Sequence, residues 1–266
     1  MARLNVLRRG RGPLLLLLHG IGSSCTAWTR QTDRLQGDFT CMAPDMPGYG
    51  DSPDVAAPGL DGIVETVADV LDGRPAHVVG VSFGALVAIS LAHRRPALVR
   101  SLVLSDATLG RALMPDAERA RWLQNRVALA NDLVSRSTER AAEIASPRAQ
   151  VSVVDEIALH MRRARPSGYI EVAKAIADTD AEPWLHEIAQ PALVICGADD
   201  GVTGLAVSQR LAASLRDARL VTIDAAGHAP HIEQPDRFAE AVRSFLIERF
   251  DDPTASSPHR TARSPC

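Results

Sequence analysis

Short apolar runs alternate with longer amphipathic segments along most of the chain. Six runs have the length and apolar character of buried strands: residues 14–18, 40–43, 77–80, 101–105, 192–196 and 219–223. The longer segments carry apolar residues at helical spacing and cover 27–35, 60–71, 83–93, 205–215 and 235–250. This alternation predicts βαβ units, and therefore an α/β fold with a mostly parallel central sheet and helices on both faces. Residues 4–8 supply only one further strand, which predicts an abbreviated first edge of the sheet.

The pattern changes between residues 110 and 183, where no strand-like run occurs. Four helical segments fill this stretch, near 116–133, 138–145, 151–165 and 167–178, and prolines interrupt them. Because strands resume directly afterwards, we interpret 110–183 as a helical lid inserted into the sheet and not as a separate four-helix domain. Residues 1–109 and 184–250 then form the α/β core. The last residues, 251–266, are rich in Ser, Pro, Thr and Arg and predict a disordered tail.

Composition narrows the class of protein. The 266 residues are 46% hydrophobic and 23% charged, which is typical of a soluble globular protein. A net charge of −3, without a basic patch interleaved with aromatic residues, gives no support for nucleic-acid binding. The leucines at 14–18 are too few for a secretion signal (~7–15 apolar residues) or a membrane span (~18), so we expect no membrane contact. The four cysteines have no metal-ligand spacing, so we expect no metal, reduced thiols and a cytoplasmic protein. The oligomeric state is not indicated.

Residues 80–84 carry the clearest chemical signal. Their sequence, Gly-Val-Ser-Phe-Gly, follows a predicted strand and precedes a predicted helix. G-x-S-x-G in this context is typical of a nucleophile elbow, where a sharp turn exposes the serine hydroxyl at the positive end of a helix. The alternative is an ordinary strand-to-helix turn. We predict that Ser82 is a nucleophile, provided that the chain supplies its partners.

A serine nucleophile needs a base, and the base is expected on a loop after the last strand. His228 follows a glycine just beyond the strand at 219–223, so we select it. His231, three residues further on, is the alternative.

The group that orients the base should be an acid at the end of an earlier strand. Asp199 and Asp200 both follow the strand at 192–196, and we favour Asp200 because Asp199 in such a turn more often bonds local backbone. Asp106, after the strand at 101–105, is a third candidate, for which we prefer a loop-capping role. The order Ser82, Asp200, His228 matches the nucleophile, acid, histidine order of elbow-type hydrolases.

An acyl-transfer site also needs two hydrogen-bond donors for the oxyanion. We expect one from the backbone N–H of Phe83, next to the nucleophile. The loop at 19–24, His-Gly-Ile-Gly-Ser-Ser, follows the strand at 14–18 and offers the N–H of Ile21 as the second. His19 is expected to brace this loop by hydrogen bonding and not to act as a base.

Five motifs together resemble one superfamily. They are His-Gly-Ile-Gly at 19–22, Asp-Met-Pro-Gly-Tyr-Gly-Asp-Ser at 45–52, the elbow at 80–84, Gly-Ala-Asp-Asp at 197–200 and Gly-His at 227–228. In this order and context, the chain resembles the α/β-hydrolase fold superfamily over residues 4–250. The resemblance implies that the loop at 45–52 shapes a turn bordering the pocket.

Individual positions bear on the subfamily. Ser82 separates the chain from members with an aspartate nucleophile. Carbon–carbon bond hydrolases of aromatic degradation usually carry Asn before the serine and Trp after the histidine. This chain has Val81 and Ala229 at these two positions, which argues against that reaction. Residues 168–180 resemble the end of the lid in 3-oxoadipate enol-lactonases, and 227–230 resemble pimeloyl-carrier methyl ester esterases.

We therefore expect a cofactor-independent serine hydrolase that cleaves a small or medium ester, lactone or thioester through an acyl-enzyme. Four residues of the predicted lid are candidates for binding this small-molecule substrate: Trp122, Leu123, Met161 and Tyr169. The alternatives are an enol-lactonase, a carbon–carbon bond hydrolase, an acyltransferase on the same scaffold, or a ligand receptor with a slow triad.

Overall fold

A computed structural model describes residues 3–54 and 57–250, so the predicted tail at 251–266 lies outside the described residues. Within these ranges, seven strands form one sheet in the order β1-β3-β2-β4-β5-β6-β7. The strands are β1 (Val6–Gly10), β2 (Leu14–Leu18), β3 (Thr40–Pro44), β4 (Ala76–Val81), β5 (Val99–Ser105), β6 (Ala192–Gly197) and β7 (Ala218–Ile223). Only the edge strand β1 runs antiparallel to its neighbour, and the other neighbouring pairs in this sheet are parallel. The predicted mostly parallel sheet is confirmed.

Burial on both faces explains the run of leucines in β2. Its five side chains are all buried, and they alternate between two apolar clusters. Leu16 lies in the cluster that includes α2 and α3, while Leu15 and Leu17 lie in the cluster on the other face. A strand with two buried faces reads as a continuous apolar run because neither face needs polar residues.

Helices cover both faces of the sheet, as predicted. The described residues include ten α-helices: α1 (Thr29–Leu35), α2 (Gly59–Asp69), α3 (Phe83–Arg94), α4 (Asp116–Asn131), α5 (Ser137–Ile144), α6 (Val151–Met161), α7 (Pro166–Asp178), α8 (Gly204–Ser214), α9 (Pro230–Glu233) and α10 (Pro235–Phe250). Helices α2, α3 and α8 pack on one face, and α1 and α10 pack on the other. No described helix is both long and apolar enough to cross a bilayer.

Four helices, α4 to α7, lie between β5 and β6 in the chain, although these two strands pair directly in the sheet. Gly110 and Asp180 form an antiparallel bridge where this segment leaves and rejoins the core. Helix α4 packs against α7, and α5 packs against α6. We call residues 110–183 the helical insertion. It extends over the carboxyl ends of the strands, where ligands bind in parallel α/β sheets.

Candidate active site

Ser82 occupies a strained turn between β4 and α3. Its backbone has φ +55° and ψ −114°, a region that non-glycine residues rarely adopt. The flanking glycines are required by close backbone contacts. A Cβ on Gly80 would lie 2.3 Å from the carbonyl oxygen of Gly84, and a Cβ on Gly84 would lie 2.1 Å from that of Leu18. The turn therefore places the serine at the carboxyl end of the central strand β4 and at the N-terminus of α3.

His228 and Asp200 form a buried hydrogen-bonded pair. The Nδ1 atom of His228 lies 3.0 Å from Oδ1 of Asp200, and it carries the hydrogen because it faces a carboxylate. Burial raises the pKa of Asp200. Hydrogen bonds from His228, from the Thr203 hydroxyl at 2.6 Å and from the Val202 N–H at 2.8 Å outweigh this effect and hold the pKa well below its ordinary value. The carboxylate is ionised at neutral pH, and Nε2 of His228 is left to accept a proton.

Glu233 holds the loop that carries His228, and this role was not foreseen from the sequence. Its Oε1 accepts hydrogen bonds from the N–H groups of Gly227 at 2.9 Å and Ala229 at 3.1 Å. Its Oε2 accepts one from the N–H of Ser146, in the helical insertion, at 2.7 Å. In the sequence, the signal for this role was an acidic residue in an otherwise apolar segment after His228. If such a segment is buried, its carboxylate needs several donors around it.

The alternative base, His231, has no acidic partner among the described residues. Its ring packs against Trp28 with a centroid distance of 4.6 Å, and its Nδ1 is buried without a hydrogen-bond partner. Burial and neighbouring histidines lower its pKa to about 3. A neutral, unoriented imidazole is a poor candidate for the base.

The alternative acid, Asp199, points away from His228. It accepts hydrogen bonds from the Ser146 hydroxyl at 2.5 Å and from the Arg148 guanidinium at 2.8 Å. Both partners belong to the helical insertion. Asp199 therefore fastens the insertion to the end of β6, and Asp200 is the aspartate of this turn that contacts the histidine.

Asp106 is fully buried next to the pair. Its Oδ1 accepts a hydrogen bond from the Gly197 N–H at 2.8 Å, and its Oδ2 accepts one from the Ser105 hydroxyl at 2.6 Å. These bonds fit the expected capping role. Burial raises the pKa of Asp106 to about 7.

Asp106, Cys196 and Asp200 each place one potential metal-ligand atom within 4.8 Å of the others. Burial raises the pKa of the Cys196 thiol to about 11, so the thiol stays protonated at neutral pH. Asp200 already uses both oxygens for hydrogen bonds. This donor set does not fit a divalent cation, which needs several ionised ligands with free electron pairs.

The loop after β2 approaches the nucleophile closely. A Cβ on Gly20 would lie 3.2 Å from Cβ of Ser82 and 3.8 Å from its Oγ. The N–H groups of Ile21 and Phe83 make no backbone hydrogen bond in the described part of the chain. Two unused donors beside a serine are what an oxyanion requires.

His19 braces this loop. Its Nδ1–H donates to the Gly20 carbonyl at 2.9 Å, and its Nε2 accepts a hydrogen bond from the Met46 N–H at 2.9 Å. Both ring nitrogens are thereby used in holding the loop.

One cavity, which we call the central cavity, contains both Ser82 and His228 in its wall. The helical insertion contributes Trp122, Met161 and Tyr169, from α4, α6 and α7. Leu123 does not line the cavity, contrary to expectation. Consecutive residues of a helix point about 100° apart, so Trp122 and Leu123 do not face the same side of α4.

Comparison with known proteins identifies the family. The model of the alpha/beta hydrolase family matches residues 15–241. The chain therefore belongs to this family and is a hydrolase, as its motifs indicate.

Relatives of several kinds are similar over nearly the full chain. A pimeloyl-acyl-carrier-protein methyl ester esterase from Nitrosomonas europaea is 30% identical over 90% of this chain and 97% of its own. The crystal structure of a hydrolase from Pseudomonas aeruginosa is 31% identical with a TM-score of 0.81, covering 91% of this chain and 93% of that one. An enol-lactonase from Burkholderia xenovorans is 25% identical with a TM-score of 0.74, covering 92% and 96%. These relatives are enzymes that act on esters or lactones, or are hydrolases of unstated substrate.

Proposed function

We propose that this protein is a serine esterase or lactonase that works through an acyl-enzyme. The observation that carries the proposal is the Asp200–His228 hydrogen bond at 3.0 Å, with His228 in the wall of the same cavity as Ser82. A strained serine, an oriented imidazole and an ionised carboxylate have no shared structural purpose, whereas nucleophilic catalysis needs all three.

In this mechanism, Oγ of Ser82 attacks the acyl carbon and Nε2 of His228 accepts the hydroxyl proton. Asp200 keeps the imidazole in the required tautomer and stabilises its cationic form. The N–H groups of Ile21 and Phe83 stabilise the negative oxygen of the tetrahedral intermediate. His228 then protonates the departing alcohol. Water, deprotonated by the same imidazole, releases the acid and restores Ser82.

The helical insertion acts in this proposal as a lid. Trp122, Met161 and Tyr169 close the central cavity over Ser82 and exclude bulk water during the reaction. The relative from Nitrosomonas europaea is a methyl ester esterase. Methyl esters of carboxylic acids are therefore the first substrates to test, followed by enol-lactones.

The test is a panel of p-nitrophenyl esters, methyl esters and lactones with the wild type and Ser82→Ala. We expect the variant to lose activity by about a thousandfold or more, and a serine-directed phosphonate to label the wild type at Ser82. Ser152→Ala changes an exposed serine of α6 and should match the wild type. Unchanged turnover in Ser82→Ala would refute the mechanism.

The same assays separate two other activities of this scaffold. An acyltransferase would form a new ester or amide when an alcohol or amine is added, at the expense of free acid. A receptor would show negligible turnover together with ligand-induced thermal stabilisation.

A further inference from the structure

The central cavity carries an unbalanced positive charge. Three arginines line it, Arg111, Arg126 and Arg140, and its described lining residues include no aspartate or glutamate. Arg140 is neutralised by Glu143, whose carboxylate accepts its hydrogen bond at 2.7 Å. Arg111 and Arg126 form no ion pair with any described residue. Two cations are therefore left without a counter-charge in the wall of the cavity.

Arg126 is also short of hydrogen bonds. Its Nε is buried and has no partner among the described residues. A guanidinium carries five N–H donors and stays protonated at any physiological pH. A buried donor without an acceptor is unfavourable, so packing alone does not account for this side chain. An acceptor supplied from the cavity would satisfy it.

Trp122 holds both arginines in place. The Cζ atom of Arg111 lies 4.7 Å from the centre of the Trp122 ring, and that of Arg126 lies 5.3 Å from it. Contact with a ring stabilises the cation but does not supply acceptors for its N–H groups. Arg111 donates from Nη1 to Sδ of Met114 at 3.0 Å, and a thioether sulfur is only a weak acceptor. Burial and the nearby charge of Arg126 lower the pKa of Arg111. The two cations repel each other, and an anion bound to both would relieve this repulsion.

We propose that Arg111 and Arg126 form an anion subsite, and that the preferred substrate is an ester or lactone with a second, ionised carboxylate group. This inference rests on the proposed function and specifies its substrate class. Guanidinium groups bind carboxylates by paired, charge-assisted hydrogen bonds, which fix position as well as charge. A carboxylate suits the site better than a phosphate dianion because less charge is taken out of water.

The test compares monomethyl adipate with methyl hexanoate, which lacks the free carboxylate. For each enzyme, the ratio of kcat/KM for the charged ester to that for the neutral ester is measured. We expect Arg126→Gln to lower this ratio by about tenfold to a hundredfold, mainly through KM, since a charge-assisted bond is lost. Arg111→Gln should act in the same direction, and Arg126→Lys should recover part of the ratio. Arg121→Gln removes an exposed arginine of the same helix, outside the cavity, and should keep the wild-type ratio.

A binding measurement separates this proposal from the proposed function. Adipate should raise the Tm of the wild type and of Ser82→Ala, and should raise it less in Arg126→Gln. If Ser82→Ala still turns over esters while adipate stabilises only proteins with Arg126, the proposed function fails and the anion subsite stands. If the substrate ratio and the adipate effect are the same in Arg126→Gln as in the wild type, the subsite is refuted. Preference for an ester with a terminal phosphonate over monomethyl adipate would refute the assignment to a carboxylate.

Discussion

Replacing Asp106 with asparagine should stabilise the protein by an amount that grows with pH. The side chain is fully buried, and burial raises its pKa from an ordinary value of 3.8 to about 7. An acid whose pKa is raised in the folded state favours folding while it is protonated. This stabilisation is complete at pH values below the pKa of the acid in the unfolded state. It is lost as the pH rises through the pKa of the acid in the folded state. At alkaline pH the wild type therefore holds a buried carboxylate beside the ionised Asp200.

The magnitude follows from the two pKa values. Their difference of about 3 corresponds to about 4 kcal/mol between full protonation and full ionisation. Asparagine does not titrate, and its oxygen and amide can keep the hydrogen bonds with the Gly197 N–H and the Ser105 hydroxyl. Between about pH 5 and about pH 8, the free energy of unfolding of Asp106→Asn should rise relative to the wild type by about 3 kcal/mol, and should level off above that range.

Urea unfolding at a series of pH values measures the difference in free energy of unfolding between Asp106→Asn and the wild type. The effects of titrations that are common to both proteins cancel in this difference. Asp224→Asn is the matched control, because Asp224 also follows a strand directly, β7, but is exposed. The rise for Asp106→Asn should exceed any change seen in this control. A difference for Asp106→Asn that is constant between pH 5 and pH 8 would refute the assignment of a raised pKa to this buried acid.

Two further substitutions test the support of His228. Asp200→Asn should lower kcat for ester hydrolysis by about a thousandfold or more, because an amide can no longer fix the tautomer of the imidazole. Asp199→Asn removes the charge of the partly exposed pair with Arg148 and leaves an amide oxygen that can accept from the Ser146 hydroxyl, so it should keep kcat within about fivefold. Equal losses in the two variants would contradict the assignment. Glu233→Gln should lower the free energy of unfolding by about 1–3 kcal/mol in urea, since one amide oxygen cannot accept from donors on both sides. Glu240→Gln, on the exposed face of α10, serves as its control. An equal urea midpoint for both variants would argue against a stabilising role for the Glu233 hydrogen bonds.

Elements with strong patterns were predictable from the sequence. The leucines of β2 were best explained as a strand buried on both faces, and the structure shows this strand. The elbow at Ser82 lies between the two glycines that its close backbone contacts require. Weak patterns gave weaker predictions. Helix α9 (Pro230–Glu233) spans only one turn, which is too short to show helical periodicity.

Long-range contacts limited the prediction of the site. The pairing of Asp200 with His228 followed from the order of the motifs, because the carboxyl ends of parallel strands meet at one edge. Glu233 accepts from Gly227 and Ala229 in its own loop and from Ser146, 87 residues away. The acidic residue after the histidine indicates a carboxylate with several donors, but the sequence does not identify the distant donor. Side-chain direction within the insertion was equally hidden, which is why Leu123 was expected in the cavity and is not there.

The hydrogen bonds of Glu233 also join the alignment of the base to the position of the helical insertion. The base loop and the insertion share one carboxylate, and the His228 N–H additionally donates to the Ile144 carbonyl at 2.7 Å. An outward movement of the Ile144–Ser146 backbone would pull the imidazole of His228 away from Asp200. A graft of this helical insertion onto another hydrolase would therefore have to include the Ile144–Ser146 backbone to keep His228 aligned with Asp200.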